Sequence, residues 1–241
     1  MSHPPGTLPA MTRFVLVAGA WLGGWAWDEV ASALREAGHE ADAVTLSGLA
    51  ERKDAPAGLH THVQDVVDHV ERLDLRDVVL VGHSYSGVPV GQAAERIGGR
   101  LRRVVFVDAN VPVDGESFLD GFPSDHIREA LAASGGAWPP LPPGAYAGQG
   151  LSDAQIDRIV TEGTPHPGAT LTEPAALGRP LGELPATYVK CLLDGREPAP
   201  AVAALLKSDR WHLAEMNTGH WPMFSQPREL ARLLDEAARQ A

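Results

Sequence analysis

This 241-residue chain has one cysteine, Cys191, so no disulfide can form within it and its composition fits a reducing compartment. On a strand, a lone cysteine reads as a small buried residue rather than a reactive thiol. Positive charge is short: 20 lysines and arginines face 31 aspartates and glutamates, a formal net charge of -11. That balance argues against nucleic acid or an anionic membrane as partner, since both favour a basic face. No apolar run reaches the ~18 residues expected of a membrane-spanning helix. The start, Met1-Ser2-His3-Pro4-Pro5, lacks the basic and apolar regions of a secretory signal, so the expected location is the cytoplasm. There is no internal repeat, and no low-complexity tract beyond a proline cluster.

What is present suits one sizeable α/β domain with an insertion. Residues 1–11 read as a flexible tail. Short apolar runs from Phe14 to Val17, Ala41 to Leu46, Val78 to Val81, Arg102 to Val107, Ala186 to Leu193 and Trp211 to Met216 read as six strands. Several lack polar alternation, as expected of parallel strands buried on both faces. Helical spacing separates them at Trp25 to Ala37, His62 to Leu73, Val88 to Ile97 and Gln226 to Arg239. This alternation implies right-handed βαβ units, a mostly parallel sheet, and chemistry at its carboxyl edge. The expected core comprises residues 12–111 and 184–241. Between them, residues 112–183 are dense in proline and glycine and hold no strand-like run. They read as an inserted cap with helices at Ser124 to Ala133 and Ser152 to Glu162, a natural lid over the active edge.

The run Val78-Val79-Leu80-Val81-Gly82-His83-Ser84-Tyr85-Ser86-Gly87 passes from strand through a sharp turn into a helix. A serine at such a tip is a nucleophile elbow, its hydroxyl clear of the sheet. Ser86 stands where glycine is usual, which predicts slight crowding. Serine chemistry then needs a base, a carboxylate to orient it, and N–H donors for an oxyanion. His220, directly after the last strand, is the expected base, in the chain order Ser, Asp, His. The side chain of His83 should point away from the nucleophile, and His60 and His62 read as exposed or helix-capping, with no third residue spaced for a metal. Asp194 is the expected acid and Asp108, also at a strand end, the alternative; either could instead cap a helix or shape a turn. The backbone N–H groups of Ala20 and Tyr85 are the expected oxyanion donors. Trp21, Trp138 and Trp221 are expected to line an apolar substrate pocket, whereas Trp25 and Trp27 read as core.

The strings Phe14 to Trp27, Thr45-Leu46-Ser47-Gly48-Leu49, Gly82 to Gly87 and Val107-Asp108-Ala109-Asn110-Val111-Pro112 resemble the α/β-hydrolase superfamily. Within it the chain is similar to the branch of plant methylesterases, hydroxynitrile lyases and related bacterial esterases. The resemblance runs along nearly the whole chain, is weakest in the cap, and carries the acid onto Asp194, after the penultimate strand. It implies a six-stranded α/β-hydrolase fold without cofactor or metal. Two departures stand out besides Ser86. Ala18-Gly19 replaces His-Gly or Pro-Gly, and Trp221 follows His220 where hydroxynitrile lyases carry lysine, which argues against cyanohydrin cleavage. The expected function is hydrolysis of a small to medium hydrophobic ester or lactone through an acyl-enzyme on Ser84, with a homodimer as the one assembly considered. A lyase or cyclase of natural-product assembly, or a ligand-binding protein with residual hydrolase activity, remains the alternative.

Overall fold

The computed structural model describes residues 11–121 and 124–240; apart from Met11, the expected tail lies outside the described residues. The strands are β1 (Arg13–Val17), β2 (Glu40–Val44), β3 (Val78–His83), β4 (Leu101–Val107), β5 (Ala137–Trp138), β6 (His166–Pro167), β7 (Ala186–Cys191) and β8 (Trp211–Met216). The α-helices are α1 (Asp28–Glu36), α2 (Leu59–Arg72), α3 (Gly87–Ile97), α4 (Asp125–Ala133), α5 (Asp153–Glu162), α6 (Ala169–Thr172), α7 (Pro200–Leu205), α8 (Pro222–Ser225) and α9 (Pro227–Arg239). Six strands form one sheet in the order β2-β1-β3-β4-β7-β8, and each pairing in it is parallel.

The strand residues divide between two cores, which explains why the central strands show no polar alternation. Val15, Val17, Leu80, Val104 and Phe106 face one side, packed with the α2 residues Val63, Val66, Val67 and Val70. Phe14, Leu16, Val79, Val81, Val105 and Val107 face the other, packed with Val30 and Leu34 of α1 and Leu230 and Leu234 of α9. The three- and four-residue spacing of those helix positions gives each helix one apolar stripe. At the sheet edge, β8 buries only its end residues Trp211 and Met216, while the four between are half-buried or exposed, as an edge strand with incomplete cover should be.

The connection from β4 to β7 carries α4, α5 and α6, and it differs from expectation in one respect. It contains a two-residue antiparallel ladder, β5 with β6, in which Trp138 pairs with His166. Two residues per strand are too few to leave a periodic signal. Ser152 starts α5 with a reciprocal capping box: its side chain accepts from Gln155 N–H, and the Gln155 side chain bonds the Ser152 backbone.

Gly87 sets how closely α3 packs under the elbow. A Cβ there would overlap the Asn110 carbonyl oxygen and lie 2.8 Å from Ala109 Cβ. Gly87→Ala is therefore expected to destabilise the fold by about 1–3 kcal/mol. A lowered urea midpoint at unchanged slope would show it, and an unchanged midpoint would mean that the β4 end can yield.

Candidate active site

Each candidate group stands at the carboxyl end of a different strand. Ser84 follows β3 with φ 54°, and Asp108 follows β4 with φ 42°. Both are left-handed positions that cost a non-glycine residue strain, and such strain concentrates at functional sites. The elbow is braced from beneath. Asn110 N–H donates to Ser84 O (3.0 Å), and Gly19 passes so near that a Cβ on it would lie 2.8 Å from both Ser84 Cβ and His83 Nδ1. Ser86 is stitched in rather than crowded, contrary to expectation. Its buried hydroxyl accepts from His83 N–H (2.9 Å) and donates toward the carbonyls of Val17 (2.8 Å) and His83 (2.9 Å).

His220 Nε2 lies 2.8 Å from Ser84 Oγ. Its Nδ1 lies 2.7 Å from Asp108 Oδ2 and 3.3 Å from Asp194 Oδ2. The sequence order of preference between the two carboxylates is thus reversed by distance, and the reason lies in β7. Lys190 Nζ (2.8 Å) and Cys191 N–H (3.3 Å) both donate to Asp108 Oδ1, so the other oxygen is presented to the imidazole. Asp194 sits farther out, with 30% of its side chain exposed against 6% for Asp108. Its Oδ1 accepts from Gln149 Nε2–H (2.9 Å).

The His220 backbone is gripped on both sides. Its N–H donates to Gln149 Oε1 (2.6 Å), and its carbonyl accepts from His83 Nε2–H (2.7 Å). His83 does turn away from the pocket, and lies behind His220 with ring centroids 4.8 Å apart. Burial, then the neighbouring His220, holds His83 down at about 3, so this support stays neutral. For His220 itself, burial favours the neutral ring, but Asp108 and then Asp194 outweigh it and raise the pKa to about 9. Asp108 is lowered to about 2, because its contacts with His220 and Lys190 overcome the opposing effect of burial.

A cavity of about 330 Å³ opens over Ser84, lined by Ala20, Trp21, Tyr85, Phe118, Trp138, Leu141 and Trp221 among others. All three expected pocket tryptophans and both expected oxyanion residues are in it. A second cavity, of about 420 Å³, is lined by Asp108, Lys190, Asp194 and His220 among others, and shares Asp194 and His220 with the first. Trp27 is fully buried, and Trp25 half-buried, in the core beside α1. His62 is neither exposed nor a cap. It is buried at 0% exposure, with Nδ1 2.9 Å from Tyr85 OH and Nε2 2.8 Å from Ser47 O. Among the described residues, Asp108, Asp194 and His220 offer atoms within 4.8 Å of one another that could ligate a metal. With Lys190 balancing one carboxylate, and Nδ1 facing both, their charges already suit an imidazole that gains and returns a proton.

Lys190, Gln149 and His166 were missed. Lys190 carried a signal: a lysine inside a mostly apolar strand that is paired on both sides calls for a buried counter-charge. Gln149 lies in an irregular segment and His166 in a two-residue strand, and neither carries a periodicity that points inward.

The model of the alpha/beta hydrolase family matches residues 14–233. A carbendazim hydrolyzing esterase from Nocardioides sp. is 33% identical across 93% of this chain and 98% of its own. A protein of Arabidopsis thaliana described as a chloroplastic methylesterase is 25% identical, over 94% of this chain and 64% of its own. Among solved structures, an extracellular alpha/beta-hydrolase from a Paenibacillus species superposes with a TM-score of 0.84 at 27% identity, over 95% of this chain and all of that one. It is described as sharing structural and functional homology with tobacco salicylic acid binding protein 2. Among the described residues no helix is long and apolar enough to cross a membrane.

Proposed function

The chain belongs to the alpha/beta hydrolase family, and from that premise we propose that it is a carboxylic ester hydrolase working through an acyl-enzyme on Ser84. The observation that carries this reading is the contact of 2.8 Å between Ser84 Oγ and His220 Nε2, on a histidine whose other nitrogen faces two carboxylates. Neutral His220 takes the Ser84 proton as Oγ attacks the ester carbonyl. The resulting oxyanion is received by the N–H groups of Ala20 and Tyr85, and the imidazolium by Asp108 and Asp194. His220 then protonates the departing alkoxide, leaving an acyl group on Oγ. A water deprotonated by the same nitrogen attacks that ester, and the acid product leaves with Ser84 restored.

The aromatic wall of Trp21, Trp138, Trp221 and Phe118 supports a small to medium hydrophobic ester as substrate, aromatic on at least one side. A cavity of about 330 Å³ lies at the small end of ligand pockets. The esterase and methylesterase names of the relatives point to the same class.

The test is hydrolysis of short p-nitrophenyl esters by the full chain, with acid quenching and mass spectrometry. We expect a burst of p-nitrophenol and a mass gain of one acyl group on the peptide containing Ser84. Turnover without any adduct would instead favour direct attack by water. Neither turnover nor adduct would move the reading to a lyase, cyclase or ligand-binding role.

A further inference from the structure

Trp21, in the wall of the cavity, has φ 67°. A bulky residue keeps that left-handed conformation only where its surroundings over-determine it. Here the surroundings come from the β4–β7 connection. Thr164 N–H donates to Trp21 O (2.9 Å), Trp21 N–H donates to His166 Nδ1 (3.4 Å), and Trp21 Nε1–H donates to Trp138 O (3.0 Å). Thr164 Oγ1 in turn accepts from Ala50 N–H (3.0 Å), which fastens the strap to the core.

The tautomer of His166 follows from its other side. Thr170 Oγ1 lies 2.9 Å from Nε2 and 2.6 Å from Pro167 O. The hydroxyl proton goes to that carbonyl, so Nε2 carries the ring N–H and Nδ1 is left as an acceptor toward Trp21. Burial, with His62 close by, holds the His166 pKa well below its ordinary value, and the lone pair stays available. The His166 ring also meets the Tyr85 ring edge-on at 4.5 Å. The two segments expected to supply oxyanion donors, at Ala20 and at Tyr85, therefore converge on one buried histidine.

We propose that His166 is a positioning residue for the oxyanion site: by holding the Trp21 N–H it fixes the Ala20–Trp21 peptide, and through the Ala20 backbone the preceding Gly19–Ala20 peptide, so that the Ala20 N–H faces the carbonyl attacked by Ser84. This rests on the ester-hydrolase reading above. Because Trp138 and His166 are cross-strand partners, the aromatic pocket wall and the clamp form one unit, and a displaced cap segment would disorganise the oxyanion site along with the pocket.

The test compares His166→Asn, His166→Gln and His166→Leu in the full chain. Asparagine places an acceptor the same number of bonds from Cα as Nδ1; glutamine places it one bond farther, and leucine removes it. We expect kcat of the Asn variant to stay within about threefold of wild type and that of the Gln and Leu variants to fall about 30- to 100-fold at nearly unchanged KM, since small misplacements at a reacting centre cost about that much. An aryl trifluoromethyl ketone, which forms a tetrahedral adduct with an oxyanion, should lose affinity in parallel with kcat, while the carboxylic acid product binds as before. Amide hydrogen exchange in residues 18–25 should quicken in the Gln and Leu variants and not in the Asn variant. The Asn–Gln contrast decides even if the Leu variant does not fold. The proposal is overturned if the Gln variant keeps wild-type kcat, if ketone and acid weaken equally, or if exchange in residues 18–25 is the same in all. Failure of the hydrolase reading would appear separately, as absence of turnover and of a Ser84 adduct in the wild type, and the exchange comparison would still decide the clamp.

Discussion

Asp108→Asn combined with Asp194→Asn is expected to lower kcat by about 10⁴, the order of loss seen when a triad histidine is left without its acid. Asp108→Asn alone should account for most of that, about 10²–10³, and Asp194→Asn for about tenfold. The ranking follows from geometry and solvent. Asp108 is 2.7 Å from Nδ1 and nearly buried; Asp194 is 3.3 Å away and 30% exposed. A charge pair weakens as water screens it. Removing Asp108 also strands Lys190, whose side chain is only 8% exposed, and an unpaired buried charge destabilises the fold whatever happens to catalysis. The double variant Asp108→Asn/Lys190→Met separates the two effects, since it should recover the urea midpoint and leave kcat low. A larger loss in Asp194→Asn than in Asp108→Asn would return the leading role to the carboxylate that family resemblance favours.

The strands were legible because a parallel sheet covered on both sides demands uninterrupted apolar runs, such as Val78 to Val81. The elbow was legible because a serine placed between such a run and a helix has few structural uses. His220 followed from chain order and its place after the last strand. The choice between Asp108 and Asp194 was not legible, because both end strands and the outcome turns on which carboxylate oxygen Lys190 occupies. The roles of Gln149 and His166 could not be read either. Each sits in the β4–β7 connection, where contacts are made over separations of 71 residues to His220 and 145 to Trp21, and only the folded path brings them together. Ser86 was misjudged because side-chain volume was weighed without asking what a hydroxyl could bond.

The same pair of carboxylates fixes an unusual pH dependence. A general base works only when unprotonated, and His220 titrates at about 9. At pH 7 roughly 1% of it would be neutral, so kcat/KM should climb close to tenfold per unit and gain about 100-fold before levelling above pH 9. Asp108→Asn removes the strongest of the influences that raise this pKa, and its acidic limb should move down toward the ordinary histidine value of ~6.5. The activity deficit of that variant should then be smallest at low pH, where the wild-type base is protonated and the variant's is not. Stability runs the other way. A histidine whose pKa is raised by folding stabilises the native state fully below the unfolded value of ~6.5, and loses that contribution as pH rises through about 9. Full activity is therefore reached where the imidazolium no longer holds the two carboxylates together. Profiles of kcat/KM from pH 6 to 10 for wild type and Asp108→Asn, with urea midpoints over the same range, test both halves. A wild-type limb at the ordinary histidine value, or one that Asp108→Asn does not move, would mean that the carboxylates orient His220 without raising its affinity for the proton.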